Sequence, residues 1–360
     1  MRNPIIAFVR ENPLQLLLPL SIVAIILHLG DGSSTVTMAV AALAMIPMAS
    51  LIGDGTEALA AQTGPRLSGL LNATLGNAAE LIITIVALRE GLLELVKASI
   101  TGSILGNILV VLGLSMAAGG LRHGILKFDR RKASGDSVLL VLAVTALVIP
   151  SLFVQASDGI HDGLSIEILS LGVATLMIII YVLGLIYGFK LEDSPLTRAS
   201  TDEWVHHESR KMWSIVTELV FATLGVVVLS EILVTHIEPA IADLGVSEFF
   251  LGVIMVPIIG NVAEHLVAVK VALKNQMSLS VEIAVGSSLQ IALFVVPVLV
   301  FVSLLFGSHL TLVFNQFELI ALIGSVLITA FVAMDGEANW LEGAILVALY
   351  IMLALAFFFL

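Results

Sequence analysis

Gly76-Asn77-Ala78-Ala79-Glu80 and Gly260-Asn261-Val262-Ala263-Glu264 each set one amide and one carboxylate inside an otherwise apolar run. Each is followed, at the same interval, by a second polar cluster. Thr101-Gly102-Ser103-Ile104-Leu105-Gly106-Asn107 succeeds the first, and Val285-Gly286-Ser287-Ser288-Leu289-Gln290 the second. One displacement along the chain carries Gly76 to Gly260, Asn77 to Asn261, Gly102 to Gly286 and Ser103 to Ser287. With a small slip it also brings Thr56-Glu57-Ala58 near Ile237-Glu238-Pro239. Acids within apolar helices are costly and usually functional. Two of them in repeated settings read as one binding site divided between two halves of an internal repeat.

Composition fixes the solvent. Of 360 residues, 59% are hydrophobic and 12% charged, against about 25% charged in an average soluble domain. The chain is therefore expected to be an all-α polytopic membrane protein that takes the lipid bilayer as its partner. Its net charge of -12 points toward a cationic partner, but most acids fall in loops, so the total says little about the site; no nucleic-acid partner is expected. There is no cysteine, which excludes disulfides and thiolate ligands. Arg2 and Arg10 precede an apolar stretch as in a signal peptide. No clear small-residue cleavage site follows and further spans do, so this stretch reads as a first membrane helix.

A spanning helix needs about 20 apolar residues, and breaks at Gly, Pro and charged clusters divide the chain into about eleven. Their approximate limits are 14–29, 36–53, 67–88, 92–118, 137–156, 164–189, 212–236, 246–271, 278–306, 317–334 and 341–359. The repeat divides them as one extra N-terminal helix and loop (1–35), a five-helix repeat (36–189), a linker (190–211) and a second five-helix repeat (212–360). Five is odd, so the second repeat enters the membrane from the opposite side, an inverted pair of the kind found in secondary transporters. With the N-terminus cytoplasmic, only Arg89 and Lys97 among the Lys and Arg residues fall outside. The positive-inside rule then puts the C-terminus outside and the linker in the cytoplasm. In that linker, Glu192, Asp193, Asp202, Glu203, His206, His207 and Glu208 admit a regulatory metal or pH sensor. Bases, Ser, Thr and Pro are interspersed among them, which favours a solvated connection.

Residues three or four apart share a helix face, so Asn77 joins Glu80, Asn261 joins Glu264, Ser103 joins Asn107 and Ser287 joins Gln290. The set is rich in oxygen and has no thiolate, a donor set suited to hard cations such as Ca²⁺. The glycines before each Asn allow close packing or a kink, and Pro257 adds a break in the second copy. Plain helix-helix packing through small residues is the alternative for the glycines, and an interhelical hydrogen bond is the alternative for Asn107. The repeat places Gly106 against Gln290, so the amide moves by one position between halves. His265 follows Glu264 directly and points about 100° away. It is expected to face a different helix as a packed or hydrogen-bonded neutral histidine, with a proton relay as the alternative. Glu57 and Glu238 recur near span ends and are candidates to line an entrance.

These residues resemble the cation/proton exchanger family of Ca²⁺/H⁺ antiporters, within the cation/Ca²⁺ exchanger superfamily. The resemblance rests on Gly76 to Glu80, Gly260 to His265, Gly102 to Asn107 and Gly286 to Gln290 and extends over nearly the whole chain; Val262 stands where the family often has Ala. It implies that Glu80 and Glu264 bind Ca²⁺ and exchange it for protons, with Asn77, Asn261, Ser103, Ser287 and Gln290 around them. It also implies a prokaryotic cell-membrane protein, with Ca²⁺ as transported substrate, no cofactor and no enzymatic activity. Self-association is left open.

The same expectation has a basis independent of family. A proton and a dication compete for the same carboxylates, which is the minimum that antiport needs. A Na⁺-coupled exchanger of the superfamily would place a further acid where this chain has neutral Gln290. An intramembrane hydrolase dyad lacks a nucleophile that stands out, and a channel is left open by the sequence.

Overall fold

Apolar runs that bond their own backbone internally are the solution for an open chain in lipid, and the computed structural model is built of them. It describes residues 13–30, 32–63, 71, 74–156, 163–191 and 211–360. Arg2, Arg10, Arg66, Arg198, Arg210, the acids and histidines of the linker, and the first residues of the expected span 67–88 lie outside these. After a short 3-10 turn, Pro13–Leu17, comes α1 (Pro19–Leu29). The first repeat then supplies α2 (Ser34–Thr63), α3 (Ala78–Arg89), α4 (Leu93–His123), α5 (Arg130–Ala156) and α6 (Gly163–Leu191). The second supplies α7 (Met212–Leu244), α8 (Glu248–Leu273), α9 (Met277–Ser303), α10 (Gln316–Ala333) and α11 (Trp340–Phe358). Among the described residues nine of these are long and apolar enough to cross a membrane. With the shorter α1 and α3 they make the expected eleven.

The repeat is visible in backbone detail. Gly91, between α3 and α4, has φ +81°, and its repeat equivalent Asn275, between α8 and α9, has φ +66°. These are left-handed conformations that Gly and Asn tolerate best. Leu92 N–H donates to Ala87 C=O and Gln276 N–H to Val271 C=O, both at 3.0 Å, so the same turn closes the same helix in each half. Helix starts correspond as well. Asp129 Oδ1 accepts from the N–H groups of Arg131 and Lys132 at the head of α5. Asn315 and Glu318 form a capping box at the head of α10.

Contacts sort the helix ends into two faces. On one, Thr35 bonds Asp243 at 2.9 Å, Arg89 bonds Glu231 at 2.8 Å and Glu248 accepts from Leu95 N–H at 3.0 Å. On the other, His123 meets Leu273 C=O at 2.8 Å and Asp129 N–H donates to Ser278 Oγ at 3.1 Å. On this second face β1 (Leu126–Lys127) pairs antiparallel with β2 (Glu337–Ala338). Strict alternation of eleven helices requires this sorting. Arg122, Lys127, Arg130, Arg131, Lys132, Lys211, Lys270 and Lys274 belong to the second face, and Arg89 and Lys97 to the first.

α4 and α9 are the most enclosed of the long helices, each 72% buried over its most apolar stretch, whereas that stretch of α11 is 17% buried. Small residues bring the backbones together. A Cβ on Gly343 of α11 would stand 2.3 Å from Ala117 N, and one on Gly102 of α4 would stand 2.1 Å from Val253 C=O of α8. In the connection between α9 and α10, Leu310, Leu312 and Phe314 are buried on the first face. Their N–H groups donate to Ser303, Ser170 and Ser151, which meets the demand that buried backbone be bonded.

Candidate functional site

The two Gly-Asn-x-x-Glu segments fold differently. In the first, Gly76 and Asn77 form a turn from which α3 starts, with Asn77 at its N-cap and Glu80 in its first turn. In the second, Gly260 and Asn261 lie within continuous α8. A Cβ on Gly260 would stand 2.8 Å from Glu80 Cγ, so the missing side chain is what lets Glu80 lie against the α8 backbone. Each segment thus delivers its carboxylate to the crossing of α3, α4, α8 and α9.

All eight candidate residues meet there, mostly through bonds that cross between the repeats. Glu80 Oε1 accepts from Ser103 Oγ and, at 2.8 Å, from Asn261 Nδ2. Asn77 Nδ2 donates to Gln290 Oε1 at 2.6 Å. Asn107 Nδ2 donates to Ser287 Oγ at 3.1 Å, and Ser287 neighbours Glu264. The two carboxylates are near enough to act on each other electrostatically. Glu80, Asn77, Asn261, Ser103, Asn107 and Ser287 are buried, while Glu264 and Gln290 are partly exposed.

The donors do not exhaust the acceptors. Glu80 Oε2, Glu264 Oε2 and Asn77 Oδ1 are buried and have no hydrogen-bond partner among the described residues. Buried acceptors left without a donor are strongly unfavourable. A cation or a proton supplies what they lack, and a set of carboxylate, amide and hydroxyl oxygens fits a hard cation.

Two features escaped the sequence reading. His265 does not turn away to an unrelated helix. Its Nε2 stands 3.2 Å from Asn107 Oδ1, because the 100° step from Glu264 carries it round to α4, which already belongs to the site. The second feature is a set of single π-helical turns at Gly106–Val111, Leu251–Met255 and Ile291–Val295. Two of them begin at or beside the polar clusters, Asn107 lying inside one and Gln290 directly before another. Such turns often accompany functional sites, but they depend on packing and leave no compositional signal. Glu57 is partly buried near the end of α2 and Glu238 exposed near the end of α7.

The family model described as "Sodium/calcium exchanger protein" matches residues 33–190 and 214–359. The chain belongs to this family. A Ca(2+)/H(+) antiporter of Aphanothece halophytica is 43% identical over 96% of this chain and 95% of its own length. The Ca(2+)/H(+) antiporter ChaA of Bacillus subtilis is 44% identical over 95% of this chain and 96% of its own. The solved structure of native YfkE superimposes with a TM-score of 0.84 at 40% identity, covering 96% of this chain and all of that one. A solved H+/Ca2+ exchanger CAX shares the fold at 16% identity with a TM-score of 0.73. The two matched segments of the sodium/calcium exchanger model coincide with the two five-helix repeats, and the site lies between them.

Proposed function

We propose that this protein is a secondary active transporter that exchanges Ca²⁺ for H⁺ by alternating access, with Glu80 and Glu264 as the shared ion and proton sites. The observation that carries the reading is the set of buried, unpartnered oxygens on Glu80, Glu264 and Asn77, gathered where the repeats meet. Ca²⁺ bound there draws on both carboxylates, with Asn77, Asn261, Ser103, Ser287, Gln290 and Asn107 as further ligands or their supports. Protons bound to the carboxylates remove the charge that holds the ion, so the two occupants exclude each other. The names of relatives as Ca²⁺/H⁺ antiporters support the ion pair.

The geometry favours one access state. Toward the first face, α4 and α8 are locked through Gly102 on Val253 and through Gly252, whose Cβ would stand 2.7 Å from Ala98. Gly286, the repeat equivalent of Gly102, has nothing within 4 Å of where a Cβ would be, and Glu264 and Gln290 keep some exposure. We read these contacts as closing α4 on α8 toward the first face, and the exposure left at Glu264 and Gln290 as access from the Lys- and Arg-rich second face. By the positive-inside rule that second face is cytoplasmic, with the N-terminus inside and the C-terminus outside a prokaryotic cell membrane. The division at 1–35, 36–189, 190–211 and 212–360 is carried forward on the same grounds.

The test uses purified protein in Na⁺-free proteoliposomes with an imposed pH gradient. Ca²⁺ uptake should collapse the gradient, and Glu80→Gln or Glu264→Gln should reduce it to background, since Gln keeps the size but neither charge nor titration. Near-native exchange by both folded variants would overturn the site. Uptake that appears only when Na⁺ is added would replace H⁺ by Na⁺ as the coupling ion.

A further inference from the structure

A charged pocket lies between the starts of α5 and α9 on the Lys- and Arg-rich face, lined by none of the eight candidate site residues. Phe128, Asp129, Lys132, Asp136, Ser278 and Glu282 line it. Lys132 pairs with Glu282, tying α5 to α9, and both side chains are largely enclosed. Asp129 is committed to capping α5 through Oδ1. Asp136 is 1% exposed, and its Oδ1 has no hydrogen-bond partner among the described residues.

The charges that act on Asp136 are Lys132 and Asp129 from its own segment and Glu282 from α9. The Phe128 side is apolar and Ser278 is neutral. One ammonium therefore serves three carboxylates. Lys132 and Asp136 are four apart and share a helix face, so an ionised Asp136 competes with Glu282 for the ammonium. A protonated Asp136 leaves the Lys132–Glu282 bridge intact and turns one of its own oxygens into a donor. Because α9 also carries Ser287 and Gln290, the strength of the bridge bears on the helix that completes the transport site.

We propose that Asp136 is a proton-binding site separate from Glu80 and Glu264, through which the pH at the Lys- and Arg-rich face sets the strength of the α5–α9 tie. The function of such a site is to match exchange to the pH of that compartment, independently of the protons that are carried.

Infrared titration of the Glu80→Gln, Glu264→Gln double variant in lipid tests the binding without transport. The carboxylic-acid carbonyl band of Asp136 should disappear as the pH is raised, and it should be missing at every pH after Asp136→Asn is added. Glu318, another buried carboxyl, is common to both samples and cancels in the difference. Asp136→Ser, which also removes the titrating group, replaces Asn should that variant fail to insert. Identical spectra with and without Asp136 would overturn the proposal. In the otherwise native chain, Asn imitates the protonated state. Exchange by Asp136→Asn should therefore match the native protein when the Lys- and Arg-rich face is acid, and diverge by about threefold or more as that face is made alkaline. Superposed profiles, or a divergence already present at acid pH, would also overturn it.

Discussion

At the scale of single residues, the site is a chain of short polar contacts in which neutral groups hold two acids in place. Asn107 sits in the middle of one branch, donating to Ser287 and standing against His265. His265 thereby fixes which way the amide faces, and so which oxygen or N–H turns toward Ser287 and Glu264. A net hydrogen bond contributes about 0.5–1.5 kcal/mol, so His265→Phe should weaken the apparent affinity for Ca²⁺ by roughly 2- to 10-fold while exchange persists. Initial uptake rates against Ca²⁺ concentration would check this, and an unchanged affinity would make His265 a packing residue. Ser287→Ala and Gln290→Ala should likewise lower affinity without ending transport. A large cation with about 6–8 oxygen ligands can replace one neutral ligand by water. Acidifying the Ca²⁺-loading side should reduce uptake in the native protein, since protons then occupy Glu80 and Glu264. Uptake insensitive to that acidification would sink the shared-site mechanism.

At the scale of helices, equivalent glycines in the two repeats meet unlike surroundings. Gly102 supports a contact that a Cβ would enter at 2.1 Å, whereas Gly286 faces open space. Overpacking of this kind costs about 1–3 kcal/mol. Gly102→Ala should therefore lower the thermal midpoint of the purified protein or force α4 and α8 apart. Gly286→Ala should insert and fold normally. If the molecule alternates by exchanging the two environments, Gly286→Ala should nonetheless slow exchange, because the state in which that glycine is packed becomes unfavourable. Equal midpoints for the two variants would mean that the difference in packing has no energetic weight. The chain has no cysteine, so single cysteines placed near Gly102 and Gly286 report access to each face without background.

At the scale of the whole molecule, antiparallel alternation of eleven helices fixes which connections share a face. The β1–β2 pair joins the α4–α5 and α10–α11 connections, which requires an even number of crossings between them. A reporter active only in the cytoplasm should therefore be silent when fused after Leu360 and active when inserted near Ser200. Activity at both positions would break the one-plus-five-plus-five count and the inverted repeat with it.

Much of this was legible in the chain itself. Apolar runs of bilayer length fixed the helices, since lipid offers the backbone no other partner. The doubled Gly-Asn-x-x-Glu with its Ser-bearing sequel singled out eight residues that the folded chain brings together, since a divided site repeats its chemistry in each half; their role as ligands is the proposal made above. Helix ends were less legible. α7 continues to Leu244, past the expected 236, and α4 to His123, past 118, as helix caps and packing rather than hydropathy decide where a helix stops. Three things were decided only by the tertiary structure. The seating of Glu80 against the α8 backbone depends on the space that Gly260 leaves for it. The turn of His265 toward Asn107 depends on which helix lies beside α8. The burial of Asp136 between Lys132 and Glu282 arises from the approach of α5 to α9, helices far apart in sequence whose contact no local pattern encodes.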